Sequence, residues 1–154
     1  MPWLGWVVVP LVLLVHLVQS GVLWKQQLRL ALAVGGIGFV VDSLLVLTGV
    51  FAPVRFLGWG PIWMMMLWVN QAATLHSSLG WMRGRYLLGG FFGAIGGPLA
   101  YAGGAKLGAA MAAPTATGLV ILAITWALVF PGLLFVSEAI AAAPRASKAP
   151  SRGW

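Results

Sequence analysis

Residues 61–85, PIWMMMLWVNQAATLHSSLGWMRGR, decide the fold class. The stretch opens with Gly60-Pro61, a helix-start signal with proline in the first turn. It continues as an apolar span and stops at a tight basic turn carrying Arg83 and Arg85. On a helical wheel Asn70, Gln71, Thr74, Ser77, Ser78 and Trp81 share one arc of about 120°. An apolar helix with a single polar stripe and a positively charged stop has the pattern of a membrane span packed against other spans.

The rest of the chain has the same character. Of its 154 residues 61% are hydrophobic and only 7% charged, whereas soluble domains carry about 25% charged residues. Such a chain lacks the polar surface to coat a water-soluble globule, so the bilayer is its expected solvent. With about 20 residues per span there is room for about five spans. A net charge of +7 would suggest nucleic acid in a soluble protein. Here the basic residues sit between spans and in the tail, so the expected partner is the lipid bilayer and no nucleic acid. With no cysteine there is no disulfide, thiolate ligand or thiol nucleophile.

Working outward from residues 61–85, the apolar runs predict an all-α integral membrane bundle. Its spans are placed at about 3–20, 30–52, 61–79, 86–104 and 118–137, within one domain over residues 1–138. Residues 139–154 form an Ala/Pro/Ser tail with Arg145, Lys148 and Arg152, expected to be disordered near the head groups. The first run is expected to be a retained helix, since no basic residue precedes it and no A-x-A-like site follows it. Pro10 and Pro131 are expected kinks. With five spans one side collects Lys25, Arg29, Arg83, Arg85, Arg145, Lys148 and Arg152, the other only Arg55 and Lys106. That bias puts the amino terminus outside and the tail in the cytoplasm. Trp3, Trp6, Trp59 and Trp63 then fall at the outer interface, Trp24 and Trp81 at the inner one.

Asp42, near the centre of the second span, is the most informative residue. A carboxylate at that depth costs several kcal/mol unless it is protonated, paired or hydrated, which marks it for a proton or cation site or for a hydrogen bond to a neighbouring helix. Asn70 and Gln71 lie at a similar depth, so a polar site between the second and third spans would set Asp42 against one of them. The same stripe, with Thr74, Ser77 and Ser78, could equally serve as helix–helix glue. A second candidate group, His16, His76, Arg83 and Glu138, gathers near the cytoplasmic face. Their spacing includes neither H-x-x-x-H nor H-x-x-E-H, so no metal site and no cofactor is expected.

Gly89, Gly93, Gly97 and Gly104 share one face of the fourth span, with Gly96 alongside. Small-x-x-x-small spacing predicts close helix packing, and a homo-oligomer could form through this face. A sharper alternative has Gly96-Gly97-Pro98 interrupting the helix at mid-membrane and freeing backbone groups for a ligand. Met64, Met65 and Met66 read as a soft packing run.

Several local patterns together resemble a family of small bacterial inner-membrane proteins, domain of unknown function 2878. They are W-L-G near the start, Asp42-Ser43-Leu44-Leu45, P61-I-W…L67-W, T74-L-H-S-S-L-G-W-M-R-G-R, and G96-G-P-L-A-Y followed by A105-K-L-G. The resemblance covers most of the chain up to the fifth span. The chain departs from the family in two places. Relatives carry a further apolar stretch before P-W-L-G, so this chain reads as shortened there. Relatives also often have T-L-N where this chain has Thr74-Leu75-His76. The resemblance implies a setting beside cyclopropane-type lipid methyltransferases, and hence membrane-lipid-modifying enzymes as partners. Three functions follow as expectations: a non-catalytic accessory or lipid-handling component, a small carrier using Asp42, or a lipid enzyme using His76.

Overall fold

A computed structural model describes residues 24–50, 62–106 and 113–142, with Leu11 as an isolated further position. The expected first span, His16, Arg55 and residues 143–154 lie outside the described residues. The described residues form four α-helices: α1, Trp24–Leu47; α2, Ile62–His76; α3, Tyr86–Lys106; and α4, Ala116–Ala142. A single 3-10 turn, Gly80–Met82, joins α2 to α3. The described residues contain no strand. Among the described residues, α1 and α4 are the helices both long and apolar enough to cross a membrane.

α1 starts at Trp24, inside the segment expected to be a loop. Lys25, Gln26, Gln27 and Arg29 are good helix formers with no Gly or Pro among them, so nothing stops the helix from extending back. Gln27 and Leu30 face the interior while Lys25 and Arg29 stay exposed, and the Lys25 ammonium lies 5.6 Å from the Trp24 ring centroid. The helix ends at a Schellman motif. Gly49 takes φ 72°, its N–H donates to Val46 O at 3.0 Å, and Val50 N–H donates to Leu45 O at 2.9 Å. Leu45 and Val50 also pack in the same apolar cluster, the contact that accompanies this cap.

α2 ends at His76 and not at residue 79. The Thr74 and Ser77 hydroxyls bond back to their own helix, to Gln71 O at 2.8 Å and Ala73 O at 3.0 Å, and the chain turns through Leu79 N–H to Thr74 O at 2.9 Å. Such back-bonding competes with the helical ladder. Gly84, at φ 73°, completes the reversal into α3.

α3 runs unbroken through Gly96-Gly97-Pro98, so the sharper expectation of an interrupted helix does not hold. α4 also contains its proline, Pro131, as a helical residue. Pro131 cannot donate to the carbonyl of Ala127, and the bare α-carbon of Gly90 approaches that oxygen: a methyl group there would lie 3.1 Å from it. α4 is capped by Thr115, whose Oγ1 accepts from Gly118 N–H at 3.1 Å. It continues to Ala142, into the segment expected to be tail.

The helices pack mainly as two pairs, α1 on α2 and α3 on α4, with α4 also touching α1 and α2. Two apolar clusters fill the interior. Leu30, Val34, Ala72, Leu75, Met82, Leu133 and Leu134 fill the end near the basic turn. Leu45, Val50, Met64, Tyr101 and Leu122 fill the other end.

Candidate functional site

Asp42 sits where the two clusters meet. Val41, beside it in sequence, packs against both clusters, and so does Trp126. The carboxylate is 1% exposed. Trp68 Nε1–H donates to its Oδ2 at 2.6 Å, and Tyr101 O–H donates to its Oδ1 at 2.5 Å. Trp68 belongs to α2, so the first bond lies within a helix pair. Tyr101 belongs to α3, so the second bond joins one pair to the other.

The Trp68 ring is held on both faces. Trp126 of α4 stacks on it with centroids 4.9 Å apart and an interplanar angle of 6°. Gly38 of α1 lies against it so closely that a methyl group on Gly38 would overlap Trp68 Cδ2, Cγ and Cε2. Trp126 in turn lies against Gly97 of α3, where a methyl group would fall 2.7 Å from Trp126 Cβ and closer still to its ring. The order through the bundle is Gly38, Trp68, Trp126, Gly97, one layer from each helix. Gly38 and Asp42 are one turn apart on α1, and Gly97 and Tyr101 are one turn apart on α3. The i, i+4 relation puts each pair on a common face. Each outer helix therefore supplies a flat place for an indole and, one turn on, a polar group that helps tie the stack.

This geometry changes the expected site. Asp42 is matched with Trp68 and Tyr101, not with Asn70 or Gln71, which are half-buried on α2. Thr74 and Ser77 spend their hydroxyls on their own helix, and Ser78 is exposed. The stripe of α2 is thus not gathered around the carboxylate. Trp68, Tyr101 and Trp126 are not among the expected site residues; Trp68 and Tyr101 enter only within the L-W and G96-G-P-L-A-Y patterns of the family resemblance. The available signal was their depth: membrane Trp and Tyr concentrate at interfaces, and a buried indole N–H or phenol O–H needs an acceptor. Asp42 is the single aspartate in the chain.

The glycine face also has a definite role. Gly89, Gly93 and Gly97 are buried against α4, at Leu134, at the Trp126 carbonyl oxygen and Phe130, and at the Trp126 ring respectively. α4 of the same chain fills this stripe, so a second copy could use it only by displacing α4. Gly96 is exposed with nothing within 4 Å, and Gly104 is half-buried.

At the basic end, Glu138 accepts from Gly84 N–H at 2.5 Å and from Tyr86 O–H at 2.6 Å. This ties the turn after α2 to the last turns of α4 and places Arg83 and Glu138 in one neighbourhood. His76 is the last residue of α2, but its side chain, like His16, lies outside the described residues. No three His, Asp or Glu residues gather as a metal site among the described residues.

No curated protein and no solved structure matches this chain. A family model matches residues 1–132 and so takes in α1, α2, α3 and most of α4, with Asp42, Trp68, Tyr101 and Trp126 among them. The chain belongs to the family described as protein of unknown function (DUF2878).

Proposed function

We propose that the protein is a five-span component of the bacterial inner membrane, with its amino terminus outside and its carboxyl end in the cytoplasm. In this proposal it works without chemistry of its own, as an accessory or lipid-handling partner of enzymes that modify membrane lipids. The observation that carries the membrane part is the inverted placement of side chains. Leu32, Leu44 and Leu47 of α1, Leu87, Phe91 and Leu99 of α3, and Leu128 and Phe135 of α4 are exposed, while Asp42, Gln27 and Ser137 are buried. In water so many exposed large apolar side chains would make an association surface. Hydrocarbon suits it, and the buried hydrogen bonds are then the helix–helix ties expected in a bilayer.

The cluster at Asp42 favours an accessory component over a carrier. Both carboxylate oxygens accept from buried side chains, both faces of Trp68 are covered, and α3 is continuous beside them. The lipid pathway is supported by the setting that the family resemblance implies. The test is the fatty-acyl profile of a deletion strain, complemented by wild type and by Asp42→Asn. A changed profile restored by wild type is expected, and an unchanged profile would overturn the lipid assignment. Resistance of the protein to carbonate extraction tests the membrane assignment separately.

A further inference from the structure

Among the described residues, the half-buried Arg83 carries donors that no contact above uses. Arg83 Nε and Nη2 are both buried and have no hydrogen-bond partner. These two donors form the side-on edge of the guanidinium, the edge that grips a two-oxygen anion with parallel hydrogen bonds. A buried unpaired cationic donor is costly, so its natural complement is an acceptor that the described residues do not supply. Glu138 of α4 accepts from Gly84 N–H and Tyr86 O–H and makes no bond to these two Arg83 donors.

Two more buried polar atoms without a partner occur at the same end, Gln27 Oε1 and Ser137 Oγ. Gln27 is 5% exposed and Ser137 0%. All three residues flank the same apolar cluster. Gln27 lies just ahead of Leu30 on α1, Arg83 follows Met82 in the turn, and Ser137 lies about one turn beyond Leu133 and Leu134 on α4. α1 begins and α4 ends at this end of the bundle, so each polar group lies toward the rim relative to its apolar neighbour. Lys25, Arg29 and Arg85 are exposed around the same end.

We infer that this rim is a phosphate-binding site, with the Arg83 side-on edge as its anchor and the Ser137 hydroxyl as an additional donor. The inference deepens the membrane proposal and rests on it in one respect: there this end reaches the depth of phospholipid head groups, where phosphate is the abundant anion. The shared chemistry is a phosphate group, carried by a lipid or free.

The test uses the full chain purified in mild detergent, with dioctanoyl phosphatidylglycerol, dioctanoylglycerol and inorganic phosphate as probes in titration calorimetry. Saturable binding of the phospholipid or of inorganic phosphate is expected, with none of the phosphate-free glycerolipid. Arg83→Lys, which keeps the charge and loses the two-donor edge, should weaken binding at least about tenfold, the loss of one charge-assisted hydrogen bond. Arg85→Lys should leave binding unchanged. Competition by inorganic phosphate would assign the site to free phosphate, and its failure to compete would assign it to the lipid headgroup. Equal binding by wild type and Arg83→Lys, or no saturable binding of either phosphate probe, overturns the inference. Should Arg83→Lys not fold, Ser137→Ala provides the second reading: several-fold weaker binding supports the site and unchanged binding overturns it. Carbonate extraction of the source membranes keeps a failure of the membrane proposal distinguishable from a failure of the site.

Discussion

Gly38→Ala should destabilise the protein, although alanine is the better helix former. The added methyl would overlap three atoms of the Trp68 ring. For ordinary carbon–carbon contact of about 3.5–4.0 Å the ring must retreat by at least about 1 Å. It has nowhere to go. Trp126 stacks behind it at 4.9 Å, and Trp126 is itself pressed against Gly97. Retreat would also stretch the 2.6 Å bond to Asp42. Overpacking of this kind costs about 1–3 kcal/mol, and leaving the buried indole donor unmet costs about 1–3 kcal/mol more. Replacing glycine in a helix returns up to about 1 kcal/mol. The net expectation is a loss of about 1–6 kcal/mol. Gly36→Ala is the control, because Gly36 is exposed and nothing lies within 4 Å of the added methyl; it should be neutral or slightly stabilising. Both variants can be compared by denaturant titration in detergent, followed by the near-ultraviolet circular dichroism of the stacked indoles. Stability of Gly38→Ala equal to wild type, or an equal loss in Gly36→Ala, would refute the four-layer stack as a rigid unit.

The same contacts make three further predictions. Asp42→Asn keeps one acceptor oxygen and turns an amide toward the other donor, so it should cost about 1–3 kcal/mol, and Asp42→Ala should cost more; a thermodynamic cycle with Tyr101→Phe should show coupling above about 0.5 kcal/mol, whereas additive losses would mean the bond carries nothing. Gly93→Ala should be more damaging than Gly103→Ala in the same thermal-unfolding assay, because at Gly93 the methyl overlaps the Trp126 backbone oxygen, which cannot rotate away, while at Gly103 it meets nothing. Glu138→Ala should speed hydrogen exchange at the Gly84 amide, its direct donor, with little change in exchange for the interior of α3; unchanged exchange at Gly84 would show that the tie between the turn and α4 is not formed.

The sequence showed the helical class and most of the described helix positions, because apolar runs and their Gly/Pro punctuation depend on local composition. Boundaries were missed where side chains act locally. The basic residues 25–29 looked like a loop, yet one face of that turn buries Gln27 and Leu30. The end of α2 came early through the hydroxyls of Thr74 and Ser77. The partners of Asp42 were missed for a different reason. A wheel of α2 shows which residues share a stripe, but not which neighbour each stripe meets. Trp68 reads as apolar on such a wheel, although its N–H is the group that matters. The glycine face of α3 was legible as a close-packing surface because its spacing is intrinsic. That α4 fills it is a tertiary fact.

A stripe of glycines permits close approach without fixing where along the helix that approach occurs. Gly89, Gly93 and Gly97 repeat at one-turn intervals, so sliding α3 by one turn would put Gly93 under the Trp126 ring where Gly97 now lies, with a similarly open surface. Dispersion alone discriminates weakly between these registers. The bond from Tyr101 to Asp42 does discriminate, because a one-turn slide carries the phenol about 6 Å away and leaves both a buried donor and a carboxylate oxygen unmet. α1 has no such freedom: sliding it by one turn would set Val34 or Asp42 itself against the Trp68 ring in place of Gly38. Asp42 is thus fixed by steric fit on its own helix and in turn selects the register of the other pair. This gives the buried carboxylate a sufficient structural reason to be there. It also explains why Tyr101→Phe is a sharp probe of the site, since it keeps the shape of the core and removes one of the two ties that choose among registers, the other being the Glu138 bonds to Gly84 and Tyr86.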